Sequence, residues 1–272
     1  MSNRIDMHLH SSYSDGTETP AQIFERAKSL GIQTISITDH DSIKGIKEEI
    51  DLSKKYGIQL IKGVELSTFS NIEIHILGYD FDEDNEQLKQ SLEEFSQKRI
   101  ERVHLILEKL KKYNINLDYE ELEKSQSIGR LHVAKLMIQK GYVSGIPEAF
   151  DKYLGSNGVA YFPSKRITPF EGIKLIAQAG GVPVIAHPLR LLQSRKLEDL
   201  IIGLKPYGLK GIEAYYPTHE EKTIKAILDL ANKYKLLPTG GTDFHGKNRN
   251  IEIGSVEWKP NQFTARRFRI KE

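Results

Sequence analysis

The sequence predicts an α/β fold, a (β/α)7 barrel of seven mostly parallel strands interrupted by a small helical domain. Three observations predict it. Short β-branched runs alternate with amphipathic helical stretches through residues 1–81 and again through 157–272. Between them, residues 82–156 show helical periodicity and no convincing strand. Six of the nine histidines stand at the ends of the strand-like runs, most beside an acid. In barrels of this kind the functional residues gather at the C-terminal strand ends.

The first strand is Arg4 to His8 and leads into Leu9-His10. Thr19 reads as an N-cap with Pro20 at the first helical position; the helix carries Ile23, Phe24, Ala27 and Leu30 on one face and stops at Gly31. Strand two, Thr34 to Thr38, ends in Asp39-His40-Asp41, and a helix from about Ile43 to Lys55 stops at Gly57. Strand three runs from Ile58 to Val64 and ends at Glu65. Strand four, Ile72 to Leu77, holds His75 and should form a hairpin with it, since few residues intervene. In the insert, one long helix carries Leu88, Leu92, Phe95, Val103, Ile106, Leu107 and Leu110. A second spans Arg130 to Lys140 and a third Pro147 to Leu154, each followed by glycine. A helical layer of one continuous domain is the alternative to an insert.

The βα rhythm resumes with a helix opened by Thr168-Pro169 and running through Ala179. Strand five is Pro183 to Ala186, before His187; strand six is Gly211 to Tyr215; strand seven is Leu236 to Gly240, before Asp243-Phe244-His245. The last ten residues, with Arg266, Arg267, Arg269 and Lys271, read as an edge strand or solvated tail.

Composition narrows the classes. At 272 residues, 39% hydrophobic and 28% charged, the chain is an ordinary globular protein. Its net charge of +2 is too small to mark a general nucleic-acid binder. No apolar run approaches the roughly 20 residues of a membrane span, and strand one leaves no room for a signal peptide, so a cytoplasmic location is expected. With no cysteine, a metal can be held only by imidazole and carboxylate.

That is the chemistry the strand ends offer. His8 and His10, two apart on an extended strand, share a face, and Asp243 and His245 repeat the spacing at the last strand. Closure of the sheet would bring the two pairs together. Mixed imidazole and carboxylate donors suit Zn²⁺, Mn²⁺ or Fe²⁺. A single His-x-His on a strand is more often structural; the recurrence at six strand ends argues for metal. Asp39, Asp41 and Glu213 read as groups that hold ligands in place. His104, His132 and His219 are as consistent with plain exposure.

His8-Leu9-His10, Ser14-Asp15-Gly16, Thr38-Asp39-His40, Gly63-Val64-Glu65, His75, Ala186-His187-Pro188 and Asp243-Phe244-His245 resemble, in order, the signature of the PHP (polymerase and histidinol phosphatase) domain family. The resemblance covers essentially the whole chain. It implies a distorted barrel, two or three divalent metal ions, and metal-bound hydroxide as nucleophile with no protein nucleophile. One ion would take His8, His10, Glu65 and Asp243; a second Glu65, His75 and His187; a third Asp15, His40 and His245. Three such cations against three carboxylates leave a formal charge of roughly +3, suited to a phosphate ester. Coordination lowers the pKa of water from 15.7 towards ~7.

The insert carries Arg99, Arg102 and Gly129-Arg130-Leu131-His132, followed by Ala160-Tyr161-Phe162-Pro163 and Lys165-Arg166. These resemble the branch of nucleoside 3′,5′-bisphosphate phosphatases that also act as 5′-to-3′ exoribonucleases, except that Ser164 stands where that branch leads one to expect a basic residue. The resemblance implies a small 5′-phosphorylated nucleotide or short RNA as substrate, held by Arg99, Arg102, Arg130, His132, Lys165 and Arg166 on a capping insert. Arg is suited to phosphate by its planar fork of donors. No membrane and no obligate protein partner is implied. The alternatives are a phosphatase for another small phosphomonoester such as histidinol phosphate, or a non-catalytic, metal-stabilised binding module.

Overall fold

The structure is a computed structural model describing residues 4–122, 128–163, 166–193 and 196–270. It divides into two compact units, residues 1–90 with 167–272, and residues 91–166. The first division point lies inside a long helix and the second just before Ile167.

In the first unit the order is β1 (Arg4–Leu9), α1 (Pro20–Ser29), β2 (Ile32–Ile37), α2 (Ile46–Tyr56), β3 (Gln59–Leu60), β4 (Gly63–Ser70) and β5 (Ile72–Tyr79). The helix α3 (Glu86–Lys111) leads into the second unit, which holds α4 (Arg130–Gln139) and α5 (Ile146–Ala149), the latter continued by one π-helical turn, Phe150–Leu154. The first unit resumes with α6 (Pro169–Gln178), β6 (Val182–Ile185), α7 (Leu189–Gln193), α8 (Leu197–Leu204), β7 (Gly211–Tyr215), α9 (Glu221–Tyr234), β8 (Leu237–Gly240) and α10 (Gln262–Phe268).

Local signals account for most boundaries. Thr19 and Thr168 cap α1 and α6, each in a reciprocal box with the glutamine or glutamate three residues on. Such a cap contributes about 1 kcal/mol. Gly57 closes α2 at φ 65, a left-handed conformation open to glycine at little cost. The start of α2 is Ile46 rather than Ile43, because Asp41 turns at φ 49 and the chain only then enters the helix.

Two sheets form, β1-β2-β3 and β4-β5-β6-β7-β8. The first is parallel; in the second, β5 is antiparallel to both β4 and β6, and β6-β7-β8 are parallel. Two isolated parallel bridges, Leu9 to Phe244 and His40 to Glu65, join one sheet to the other. No continuous ladder closes them into a barrel among the described residues. The expected third strand is in fact two. Ile61 N still donates to Ile35 O of β2 at 2.9 Å, while Lys62 O accepts from Asp80 N at 2.9 Å, so the chain changes partners between adjacent residues. The basic tail is likewise not a strand but a helix, α10. Asn261 caps it, its Oδ1 accepting from Thr264 N at 2.9 Å, and Phe268 and Ile270 are buried.

Ile5, Met7, Leu77, Tyr79, Val184, Trp258 and Phe268 form one core of the first unit, and Leu9, Ile23, Phe24, Ile35 and Ile37 form another under α1. The second unit has its own core, including Val103, Ile106, Leu110, Val133, Met137 and Leu154. Burial of each such large side chain contributes about 1.5–3 kcal/mol, enough to hold strand ends rigidly. No helix among the described residues is long and apolar enough to cross a membrane.

Candidate metal centre

The centre is built at the strand ends. His8 and His10 project from the end of β1, His40 follows β2, Glu65 lies on β4 and His75 on β5, His187 follows β6, and Asp243 and His245 follow β8. Asp15 comes from the turn after β1. Gly241 lets the last strand reach the first, since a Cβ there would lie 2.4 Å from the Cβ of His8. Asp41, His187 and Asp243 adopt φ of 49°, 28° and 53°. Strain of this kind, about 1–3 kcal/mol each, persists where surrounding structure over-determines it.

All nine side chains converge. The Glu65 carboxylate is the hub: Oε2 lies 3.4 Å from His8 Nε2, 3.1 Å from His10 Nε2 and 3.2 Å from His40 Nδ1. Its Oε1 lies 2.8 Å from His75 Nδ1 and 3.0 Å from His187 Nε2. Asp243 Oδ1 is 3.2 Å from His10 Nε2 and 3.5 Å from His8 Nε2, and Asp15 Oδ1 is 3.2 Å from His245 Nε2. Three groups have donor atoms close enough for one ion each: His8, His10, Glu65 and Asp243; His40, Glu65 and His75; and His10, Asp15, His40 and His245. The first is the set the resemblance implies. In the second His40 stands where His187 was expected, and the third adds His10.

The donors fit cations. His8 Nε2, His10 Nε2, His40 Nδ1, His245 Nε2 and Glu65 Oε2 are buried and have no hydrogen-bond partner among the described residues. A carboxylate cannot donate, so Glu213 Oε1, 2.9 Å from His8 Nδ1, accepts that proton and leaves the Nε2 lone pair facing Glu65. The main-chain oxygen of Asp243 does the same for His245 Nδ1 at 2.8 Å. Lone pairs facing buried carboxylate oxygens repel unless a proton or metal lies between them.

The pKa shifts express the same need. Burial opposes charging His8 and His10, yet Glu213, Asp243 and Glu65 together hold His8 well above its usual value and Asp243 and Glu65 raise His10 to about 9. Burial likewise opposes charging His75, which Glu65 and Glu73 raise to about 10. His40 falls to about 3, because burial dominates and His10 and His75 add to it. Burial pushes Glu65, Asp15 and Asp243 up, but the surrounding imidazoles overcome it and hold all three well below the carboxylate range.

A supporting layer fixes the ligands. Asp39 accepts from Ser11 N at 2.8 Å, Ser11 Oγ at 2.6 Å and Ser14 Oγ at 2.5 Å, fastening the turn that carries Asp15. Asp41 Oδ1 accepts from Ser67 N at 2.8 Å, and Glu213 Oε2 from His187 N at 2.7 Å. Behind Asp39, Glu49 is 2% exposed and its Oε2 has no hydrogen-bond partner; burial, then Asp39 and Glu48, push its pKa well up.

Sequence reasoning missed Asp6, Tyr216 and Arg249. Asp6 accepts from Thr242 N at 2.9 Å, Thr242 Oγ1 at 2.6 Å, Gly254 N at 2.8 Å and His8 N at 3.2 Å. Its place two residues before His8, inside an apolar strand, was the available signal. Tyr216 OH donates to Asp243 Oδ2 at 2.8 Å, and Arg249 pairs with the same oxygen. Nothing local marks these two. His219 is buried, its Nδ1 donating to Ala214 O at 2.8 Å, so it is not an exposed histidine.

In the helical unit Arg99, Arg102, Arg130 and Arg166 are all half-buried, unlike a solvated helix face. Arg102 Nε donates to Phe162 O at 2.8 Å, and Arg130 Nη1 donates to Leu154 O at 3.3 Å with its guanidinium 5.5 Å from the Phe150 ring centre. Burial, then Arg130, Arg166 and Arg99, lower Arg102 to about 10, so the four charges lie near one another. His132 is buried and its Nδ1 accepts from Gly129 N at 3.2 Å, an N-terminal cap of α4. His104 is exposed and stacks on Tyr119. Lys165 and Ser164 lie outside the described residues.

Comparison with known proteins adds four findings. The PHP domain model matches residues 6–155. The chain is 33% identical over 258 residues to a 5′-3′ exoribonuclease of Haemophilus influenzae, covering 93% of this chain and 94% of that protein. It is 29% identical to a 3′,5′-nucleoside bisphosphate phosphatase of Chromobacterium violaceum, covering 94% and 92%. Among solved structures, a proposed metal-dependent phosphoesterase from Bifidobacterium adolescentis superposes with a TM-score of 0.86 at 27% identity, covering 98% of this chain and 96% of that one.

Proposed function

The chain belongs to the PHP domain family and is a metal-dependent phosphoric ester hydrolase, and from that premise we propose that its substrate is a small 5′-phosphorylated nucleotide, namely a nucleoside 3′,5′-bisphosphate or the 5′ end of a short RNA. The observation that carries the hydrolase reading is the convergence of five imidazoles on the buried Glu65 carboxylate, with unpartnered donor atoms turned towards it. Two or three divalent cations (Mn²⁺, Zn²⁺ or Fe²⁺) bound there would supply an acidified water and positive charge for the phosphoryl oxygens.

The chain's own residues do the rest. Glu65 shares its two oxygens between neighbouring positions, and Glu213 keeps His8 in the tautomer that offers Nε2. His40 is uncharged near neutral pH and so offers a lone pair. The converging donors are imidazoles and carboxylates, and on this reading the nucleophile is a water rather than a side chain. The two bridges between the sheets support reading the first unit as a distorted (β/α)7 barrel with the centre at its mouth. The helical unit is read as the inserted, substrate-contacting part. Arg99, Arg102, Arg130 and Arg166, together with Lys165, would hold a second anionic group of the substrate; His132 would hold the N-terminus of α4 that carries Arg130. A nucleotide substrate fits a cytoplasmic protein.

The test is Mn²⁺-dependent release of phosphate from adenosine 3′,5′-bisphosphate and cleavage of 5′-phosphorylated trinucleotides, each beside histidinol phosphate. The nucleotides should turn over faster. No turnover of either nucleotide would sink the substrate assignment.

A further inference from the structure

Asp243 divides its oxygens between two tasks. Oδ1 faces His10, His8 and His245 at 3.2, 3.5 and 3.4 Å. Oδ2 is taken by the Tyr216 hydroxyl at 2.8 Å and by Arg249 Nη1. The same Arg249 nitrogen lies 3.4 Å from Tyr216 Oη and 3.4 Å from the Asp243 main-chain oxygen. One nitrogen therefore anchors the whole guanidinium against three oxygens.

The other two nitrogens, Nε and Nη2, donate to none of the described residues, and 40% of the side chain is exposed. Arg26 shows the side-on form of an ion pair in this chain. It presents Nε and Nη2 side-on to the two oxygens of Glu18, at 3.1 and 2.5 Å. Arg249 keeps that two-donor edge open, beside a carboxylate that is only 4% exposed and at the rim of the metal centre. Arg267 also meets a carboxylate by one nitrogen, Nη1 to Asp80 Oδ2 at 2.6 Å, but there the carboxylate is 39% exposed and shared with no cluster of imidazoles. The Tyr216 ring, 5.5 Å from the His187 ring, walls the same side of the centre.

We propose that Arg249 is a further substrate-binding residue, anchored at Nη1 by Asp243 and Tyr216 and presenting Nε and Nη2 to a non-bridging oxygen of the phosphoryl group that is hydrolysed. This rests on the phosphoesterase reading above, and it goes beyond it in assigning a residue of the first unit to the reacting phosphate itself. The planar fork matches two donors to a tetrahedral oxyanion, which a lysine ammonium cannot copy. The contact serves any phosphate ester, so it should affect all substrates alike.

The experiment uses Arg249→Ala and Arg249→Lys, each loaded with Mn²⁺, and reads three quantities: metal bound per chain, the inhibition constant of inorganic phosphate, and kcat/KM for adenosine 3′,5′-bisphosphate. The expected result is metal content equal to that of the unaltered protein, phosphate binding weakened roughly tenfold to a hundredfold in Arg249→Ala, and a partial return with added guanidinium ion. Arg249→Lys should recover less than guanidinium does. Phosphate inhibition unchanged in Arg249→Ala overturns the proposal, as does loss of metal in step with activity, which would make Arg249 a support for Asp243 only. If the unaltered protein itself shows neither Mn²⁺-dependent turnover nor phosphate inhibition, the hydrolase reading falls, and this contact with it.

Discussion

The two units solve opposite electrostatic problems by opposite means. Around Glu65, the side chains of His8, His10, Asp243 and His245 are packed almost without exposure, and His8, His245 and His187 are each fixed by a further hydrogen bond. In the helical unit, four guanidinia collect while still partly open to solvent, and two of them, Arg102 and Arg130, rest on main-chain oxygens and aromatic faces. The first arrangement attracts cations and demands them, since burying a carboxylate against lone pairs costs several kcal/mol if left uncompensated. The second attracts anions and tolerates waiting for them in water. On the reading proposed above, a metal site that must stay filled is built rigidly, whereas a substrate site filled and emptied at each turnover would stay partly solvated.

The largest expected effect breaks the first half of that contrast. Glu65→Gln keeps the shape but removes the shared charge, so bound metal per chain should fall and turnover should drop by at least about a hundredfold. Metal analysis after gel filtration, beside a rate assay, reads both; retention of full metal content would show that Glu65 is not the hub. A middle effect sharpens the second half. Arg102→Met removes one of four like charges, so KM for adenosine 3′,5′-bisphosphate should rise about tenfold while kcat for a substrate with a single phosphate, such as p-nitrophenyl phosphate, stays level. Equal losses on both substrates would place Arg102 in folding rather than recognition.

The smallest effect concerns stability. Glu49 is an acid whose folded pKa is raised, so it binds its proton more tightly folded than unfolded. Its contribution is complete below the unfolded value of about 4.3 and is lost as pH rises towards the raised folded value. Glu49→Gln needs no proton, and at pH 8 should gain roughly 2–4 °C in Tm over the unaltered protein, with no gain at pH 4. Parallel melting curves at both pH values would contradict it.

The convergent side chains were legible because ionic chemistry restricts residue type so severely: a histidine or acid at the end of a β-branched run has few other reasons to recur from His8 to His245. The N-cap at Thr19 and the helix start at Thr168-Pro169 were legible for a similar reason, being wholly local. The division of the third strand was not. It depends on Ile61 and Lys62 finding different neighbours, β2 and the end of β5, which no local pattern records. Arg249 was hidden likewise: its partner Asp243 is close in sequence, but Tyr216 reaches that oxygen only through the pairing of β7 with β8. The helical α10 was obscured because its charges outweigh, by eye, the two apolar residues that dock it. The assignment of His40 beside Glu65 and His75, in place of His187, turns on a bridge between sheets that periodicity cannot foresee.

Asp6 ties residues that ribosomal synthesis separates widely. Its carboxylate meets Thr242 and Gly254, 236 and 248 positions further along the chain. His8 and His10 therefore emerge more than 230 residues before Asp243 and have to wait for it. A nascent chain stalled before residue 240 would carry its histidine pair without the carboxylate that completes it.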